Sequence, residues 1–287
     1  VAIAVNPKDS RYKNVIGKEV IEPILKRNIP IVGDKRVDID FGTGALKITP
    51  AHDALDFEIS RDNHLEMRQT LNFEGRFNEL AGPLEGLKTQ EGREKAISIL
   101  KEVKALEKEE DYVHQVGHCY KCNSIIEPMI MDQWFISVLK PFGNNNKSLR
   151  DLAVETIKSG KIKIIPKRFE KVFYHWMNNL KDWNISRQIF WGIQIPVYYC
   201  QEKKSELCRK KEGIIISPFK KILKCPYCGS KNIKKDKDVL DTWFSSGQWP
   251  YATLLTTKKN DFRKFYPTSV METGWDILFF WVARMIM

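Results

Sequence analysis

The stretch Cys225-Pro-Tyr-Cys228-Gly229 limits the possible folds of this chain more than any other. Two thiols two residues apart, with a glycine after the second, outline a tight turn that presents two sulfurs to one point. A tetrahedral thiolate site needs two more, and Cys200 and Cys208, between strand-like flanks upstream, are the candidates. Six cysteines in a chain expected to be intracellular argue for metal before disulfides. Four sulfurs leave no position for water, so a zinc ion at Cys200, Cys208, Cys225 and Cys228 would be structural. A pair of ordinary buried thiols is the competing reading. A second half-site, Cys119-x2-Cys122, stands in "HCYKC"; His114 or His118 could complete it, as could ligands preceding Val1.

The length, 287 residues, and a 43% hydrophobic fraction predict one large or two ordinary globular domains. The longest apolar run, "DILFFWVARMIM", is too short for a membrane span and carries Arg284, so a cytoplasmic chain with no membrane partner is expected. The net charge of +11, from 47 basic and 36 acidic residues, favours a polyanionic partner, nucleic acid first. A generally lysine-rich composition would explain the same charge. "VAIAV" at the start reads as mid-strand and "ARMIM" at the end as mid-helix, which is expected of an internal piece of a longer protein.

Strand signals open the chain: "VAIAV", "NIPIVG" and the alternating "DFGTGALKITP". "GREKAISILKEVKALEKEE" predicts a helix with Ala96, Ile97, Leu100, Val103 and Leu106 on one stripe. "IIEPMIMDQWFI" reads as a strand pair and 142–148 as a linker. Helices are expected at 148–159 and around 168–180, and a strand at "IQIPVYY". "PTSVMETG" then reads as a strand feeding the helix "WDILFFWVARMIM", an α/β unit.

"DWNISRQIFWGIQIPVYYC" (182–200), "DVLDTWFSSGQWP" (238–250) and "YPTSVMETGWDILFFWVARMIM" (266–287) resemble class I aminoacyl-tRNA synthetases for branched aliphatic amino acids, the valine branch most closely. "GTGALKITPAHDALDFEI" is similar to the core of that family's inserted editing domain. The resemblance implies an α/β fold: part of a Rossmann-type catalytic domain, part of an inserted β-rich α+β editing domain, and a small zinc-knuckle insertion. The boundaries implied are 1–112 for the editing domain, 113–147 for a return linker and 148–287 for the catalytic part, with the knuckle at 198–235. The HIGH-type and KMSKS-type motifs that grip ATP phosphates are not present, so this stretch alone is expected not to charge tRNA. Ala54-Leu55, Asn6, Ile193 and Gly247-Gln248 depart from the family's commoner residues.

The family's chemistry then gives residues their roles. The resemblance implies valine, ATP with Mg2+ and tRNA(Val) as substrates, and a monomer. A pocket sized for valine rejects isosteric threonine poorly, by about 10²-fold in valine-specific synthetases generally, so a second site must hydrolyse Thr-tRNA. Lys47 and Thr49, two apart on a strand, share a face. Asp53 and Asp56, three apart at a helix start, can converge. The resemblance places all four in the editing pocket, with Phe41 as a wall, Asp56 on the substrate ammonium, and Asp53 or Thr49 reading the hydroxyl. For this cluster an N-capping Asp and a surface salt bridge are the bland alternative. Gly274 and Asp276 match the site for the ATP ribose. Trp191 and Trp243 match aromatic groups near valine and the adenylate, against a reading as core tryptophans. An isoleucine-type fragment and a non-catalytic zinc-containing RNA-binding module stay open.

Overall fold

The computed structural model describes residues 1–287, which divide into two compact units, Val1–Met131 and Asp132–Met287. The division at Met131 falls inside the stretch read as the linker.

The first unit is built on a mixed sheet of β1 (Ala2–Val5), β2 (Glu19–Ile21), β3 (Asn28–Gly33) and β4 (Ala45–Ile48), in the order β2-β3-β1-β4. Strand β1 runs parallel to β3 and antiparallel to β4, with Ala2 opposite Ile48 and Ala4 opposite Leu46. The small side chains of β1 let α1 (Ala54–Asp62) pack closely: Ala2, Ala4, Val37, Ile48 and Ile59 form one buried cluster. Period-two alternation sends Leu46 and Ile48 toward that cluster, and so Lys47 and Thr49 toward the other face. The helix α2 (Thr89–Glu102) half-buries Ala96, Ile97 and Leu100 as expected. It stops before Val103, which is exposed.

The second unit takes in β5 (Phe135–Ile136), α3 (Leu149–Lys158), α4 (Glu170–Asn178), β6 (Trp183–Asn184), β7 (Ser186–Arg187), β8 (Val197–Cys200), α5 (Glu206–Lys210), β9 (Ile214–Ile216), β10 (Ile233–Lys235) and β11 (Val239–Leu240). It continues through α6 (Thr242–Ser246), α7 (Trp249–Thr256) and α8 (Asp261–Phe265), and ends in a continuous helical run, Trp275 to Ile286. Ala153 and Ile157 of α3, Phe173 and Met177 of α4, and Leu278 and Ala283 of the last run form its main core.

Several sequence expectations change here. Residues 267–274 form no strand, and Val270 is exposed, because no other strand of the chain lies alongside to complete a ladder. The sheets of this unit are small and antiparallel: β10-β8-β9, β11-β7 and β5-β6. Of the strand pair read in "IIEPMIMDQWFI", only Phe135–Ile136 forms a strand, paired with β6, while Ile125 makes an isolated bridge to His118. In "IQIPVYY" the strand starts only after Pro196, which has no N–H for a ladder. The stretch 142–148 is an ordered turn, with Phe142 bridged to Lys147 and Ser148 capping α3. The mixed α/β character holds.

Candidate editing cluster and metal centre

In the first unit the sequence places a carboxylate where a helix begins beside a strand end. Asp53 caps α1, its Oδ1 accepting the backbone N–H groups of Leu55 (2.8 Å) and Asp56 (3.0 Å). That fixes the first turn and turns Asp56 toward β4. The Asp56 carboxylate is buried, and its Oδ2 accepts both the backbone N–H (2.7 Å) and the hydroxyl (3.1 Å) of Thr49. Both bonds use one oxygen, which leaves Oδ1 for a ligand. Lys47 lies on the same strand face as Thr49. Crowding lowers its ammonium pKa, while the carboxylates of Asp56, Glu22 and Asp53 act the other way, and its side chain still reaches solvent.

The structure therefore couples Thr49, Asp53 and Asp56 directly and Lys47 electrostatically. Phe41 stands apart, exposed in the preceding loop with its ring edge-on to Tyr112, centroids 5.9 Å apart. Gly44, with φ +74, is needed for packing within the chain: a Cβ there would lie 2.6 Å from the Arg11 guanidinium and 3.0 Å from Asp9. Gly42, also left-handed, faces open space.

His52 is a member that sequence reasoning passed over. Its Nδ1 lies 3.1 Å from the Pro128 carbonyl and its Nε2 3.2 Å from the Thr70 backbone N–H. A carbonyl only accepts and an N–H only donates, so these partners suit a ring that donates from Nδ1 and accepts at Nε2. It pins the turn between β4 and α1. Buried Asn6 plays a similar part, bonding the Val37 carbonyl at 2.8 Å.

In the second unit, Cys200 at the end of β8, Cys208 on α5, and the Cys225–Cys228 turn converge. Their sulfurs all lie within 4.8 Å of one another, with Cys200–Cys228 at 3.5 Å and Cys208–Cys225 at 3.7 Å. A tetrahedral zinc with Zn–S of about 2.3 Å separates its sulfurs by about 3.8 Å, so the donor set fits such an ion. The turn is held by Gly229 N–H to the Cys225 carbonyl (2.8 Å), and Gly229 has φ +73. Burial raises the Cys208 and Cys225 thiol pKa values, whereas the Ser230 backbone N–H lowers that of Cys228. These four can hold a metal ion. Cys119 and Cys122 repeat the turn, with Asn123 N–H on the Cys119 carbonyl (2.8 Å) and Asn123 at φ +56. No third ligand of the His, Cys or acidic type joins them.

The remaining expected residues are dispersed. Trp191 is 86% exposed, so it is no core tryptophan. Trp243 stacks on Phe280, centroids 6.0 Å apart. Gly274 and Asp276 are both exposed, and a Cβ on Gly274 would meet the Asp276 carboxylate at 2.4 Å, so this glycine makes room for that acid.

Behind Trp243 lies a cluster that the motifs did not reveal. Buried Asp241 caps α6, and its Oδ2 receives the Trp183 indole N–H (2.9 Å), Arg187 (3.1 Å) and Arg284 (3.3 Å). The Arg284 guanidinium also lies over the Trp183 ring, 4.2 Å from its centroid. One charge in the apolar run "FFWVARMIM" was the available signal, since a buried arginine is nearly always paired.

A strand-to-helix acid cluster in one unit and a four-cysteine knuckle in the other are accompanied by likeness along the whole chain. The family described as tRNA synthetases class I (I, L, M and V) matches residues 4–287, and the chain belongs to it. Among curated relatives it is 48% identical over 287 residues to the valine--tRNA ligase of Pseudothermotoga lettingae and 47% identical to that of Thermotoga maritima. Both alignments cover 100% of this chain and 31% of the relative. The valine--tRNA ligase of Dehalococcoides mccartyi is 46% identical over 286 residues, 99% of this chain and 30% of the relative. The chain thus spans just under a third of the length of the relatives it matches. No helix is long and apolar enough to cross a membrane.

Proposed function

We propose that this chain is part of a valine--tRNA ligase that attaches valine to tRNA(Val) with ATP and Mg2+ and hydrolyses mischarged Thr-tRNA(Val). The observation carrying this reading is identity of 46–48% along the whole chain to relatives so named, rather than along one motif. In this reading 1–112 belongs to the editing domain, 113–147 to the return linker, and 148–287 to a Rossmann-type catalytic domain interrupted by the knuckle at 198–235.

For editing, the Asp56 carboxylate receives the threonyl ammonium through Oδ1 while Thr49 holds Oδ2. Asp53, whose Oδ2 is not used by the helix cap, reads the substrate hydroxyl. Lys47 faces the ester carbonyl, and Phe41 closes a wall. Water adds to that carbonyl and the ribose oxygen leaves with the proton, giving threonine and free tRNA. For synthesis, Gly274 and Asp276 take the ATP ribose, and Trp191 and Trp243 flank valine and the adenylate. Outward-facing Trp191 suits a ligand-stacking part better than a core one. Zinc on Cys200, Cys208, Cys225 and Cys228 fixes the knuckle, and Cys119–Cys122 is a second half-site. The enzyme works as a cytoplasmic monomer.

The test is amino-acid choice in the longer enzyme. Valine is expected to drive ATP–pyrophosphate exchange and tRNA charging. Faster charging with isoleucine would instead make this the isoleucine-type enzyme.

A further inference from the structure

The chain's positive charge is strongly localised. Residues 201–237 carry twelve basic and four acidic side chains, a net +8 of the whole chain's +11, leaving +3 for the other 250 residues. All twelve cations are exposed. Of the four acids, Asp236 is buried and accepts bonds from Tyr199 (2.7 Å) and Trp134 (3.0 Å). Glu202 and Glu206 are ion-paired to Lys204 and Lys210, and only Glu212 stands exposed without a recorded ion pair.

Three of the cations, Lys204, Lys211 and Lys231, flank the Cys225–Gly229 turn, and Arg209 lies next along the chain. The Lys211 ammonium sits over the Tyr227 ring, 4.9 Å from its centroid. Arg209 reaches the carbonyls of Lys203 and Lys204 (3.5 and 3.3 Å). Lys204 and Lys231, with Glu202, Gly229, Ser230 and Asn232, line a groove of about 680 Å³ beside Cys228. The turn that can hold a metal ion is thus flanked by clustered cations. Such a cluster repels itself and is stabilised by a polyanion, so a purely structural knuckle has no need of it.

We propose that the knuckle insertion, residues 201–237, is a contact surface for an RNA phosphate backbone, centred on Lys203, Lys204, Arg209, Lys211 and Lys231. This rests on the reading of the chain as part of a tRNA synthetase, which supplies RNA as the partner. The lysines are flexible point charges with few planar partners, so the surface positions the RNA backbone and does not read its bases.

The experiment compares two variants of the full-length enzyme. One carries Lys204→Gln, Arg209→Gln, Lys211→Gln and Lys231→Gln. The other removes four exposed lysines elsewhere: Lys95→Gln, Lys104→Gln, Lys158→Gln and Lys161→Gln. Binding of a tRNA(Val) transcript is measured from 50 to 200 mM salt. Each lost phosphate contact lowers the log–log salt slope by about 0.9, so the knuckle variant is expected to lose about 2–4 units of slope and about ten-fold or more in affinity. The control variant should keep the wild-type slope. Equal slopes for the two variants would overturn the proposal, as would preference of the wild-type knuckle for anionic vesicles over RNA. Metal content checks folding of the variant. Lysine acetylation of the wild-type enzyme, with protection of Lys204, Lys211 and Lys231 by tRNA expected, decides the matter without any substitution; no protection would equally overturn it. Valine-dependent ATP–pyrophosphate exchange needs no RNA, so its loss in the wild type would sink the synthetase reading separately.

Discussion

Thr49 donates its backbone N–H and its hydroxyl to the same oxygen of Asp56, at 2.7 and 3.1 Å. The end of strand β4 and the first turn of helix α1 are therefore tied together, and a buried carboxylate is held with its second oxygen free.

Thr49→Val keeps the shape and the backbone bond but removes the hydroxyl donor. A hydrogen bond to a charged group is worth about 1.5–3 kcal/mol. Chemical denaturation of the first unit is expected to show a loss near the lower figure, since the backbone N–H still serves Asp56. Thr-tRNA hydrolysis should fall by about ten-fold with Asp56 misaimed. An unchanged midpoint and rate would mean that the hydroxyl contributes nothing.

The four-sulfur centre predicts about one zinc per chain by atomic emission, lost in Cys208→Ser. Cys208 is buried and packs with Tyr198, Ile215 and Cys225, so the loss should loosen the β10-β8-β9 sheet. Faster proteolysis between Cys200 and Asn232 after chelation would report it. A metal-free chain as resistant as the loaded one would contradict a structural ion.

Asp241→Asn removes the charge that Arg187 and Arg284 share. Breaking a buried pair costs about 3–5 kcal/mol, because an uncompensated charge remains; Arg187 is partly exposed, so the lower end is expected. Burial already lowers the Arg284 pKa, with Asp241 opposing that. Urea unfolding followed by tryptophan fluorescence would read the change.

The Tyr199–Asp236 pair, 2.7 Å apart, sets a pH window for the second unit. Burial, then the Asp236 contact, pushes the Tyr199 pKa up to about 12. The folded value exceeds the unfolded one, so that stabilisation is complete below about pH 10 and lost as pH rises toward 12. Burial would raise the Asp236 pKa, but bonds from Tyr199, the Asp238 backbone N–H and Trp134 outweigh it and hold it low. Its contribution is present above about pH 4 and lost as pH falls further. Trp134 fluorescence, its indole bonded to Asp236 at 3.0 Å, should show a plateau between these limits. A steady decline across neutral pH would argue against the pair.

What was legible in the sequence follows local chemistry. The alternation of "ALKI", the capping Asp53 and the x2 spacing of Cys225 and Cys228 each act over a few residues, and β4, α1 and the metal turn follow from them. Cys200 and Cys208, the two further ligands expected from the sequence, are carried to that turn by the sheet around β8 and by α5. Residues 267–274 misled because apolar alternation signals a strand only where a neighbour completes the ladder. Asp241 with Arg284, and His52 between Thr70 and Pro128, join positions far apart in sequence and were invisible to motif reading.

The most direct measurement is hydrolysis of Thr-tRNA(Val) by the longer enzyme carrying Asp56→Ala. With the proposed ammonium anchor gone, deacylation is expected to fall at least 100-fold, about 2.7 kcal/mol of lost transition-state binding, while valine-dependent ATP–pyrophosphate exchange stays at the wild-type rate. Deacylation of Thr-tRNA(Val) at the wild-type rate by that variant would contradict the account.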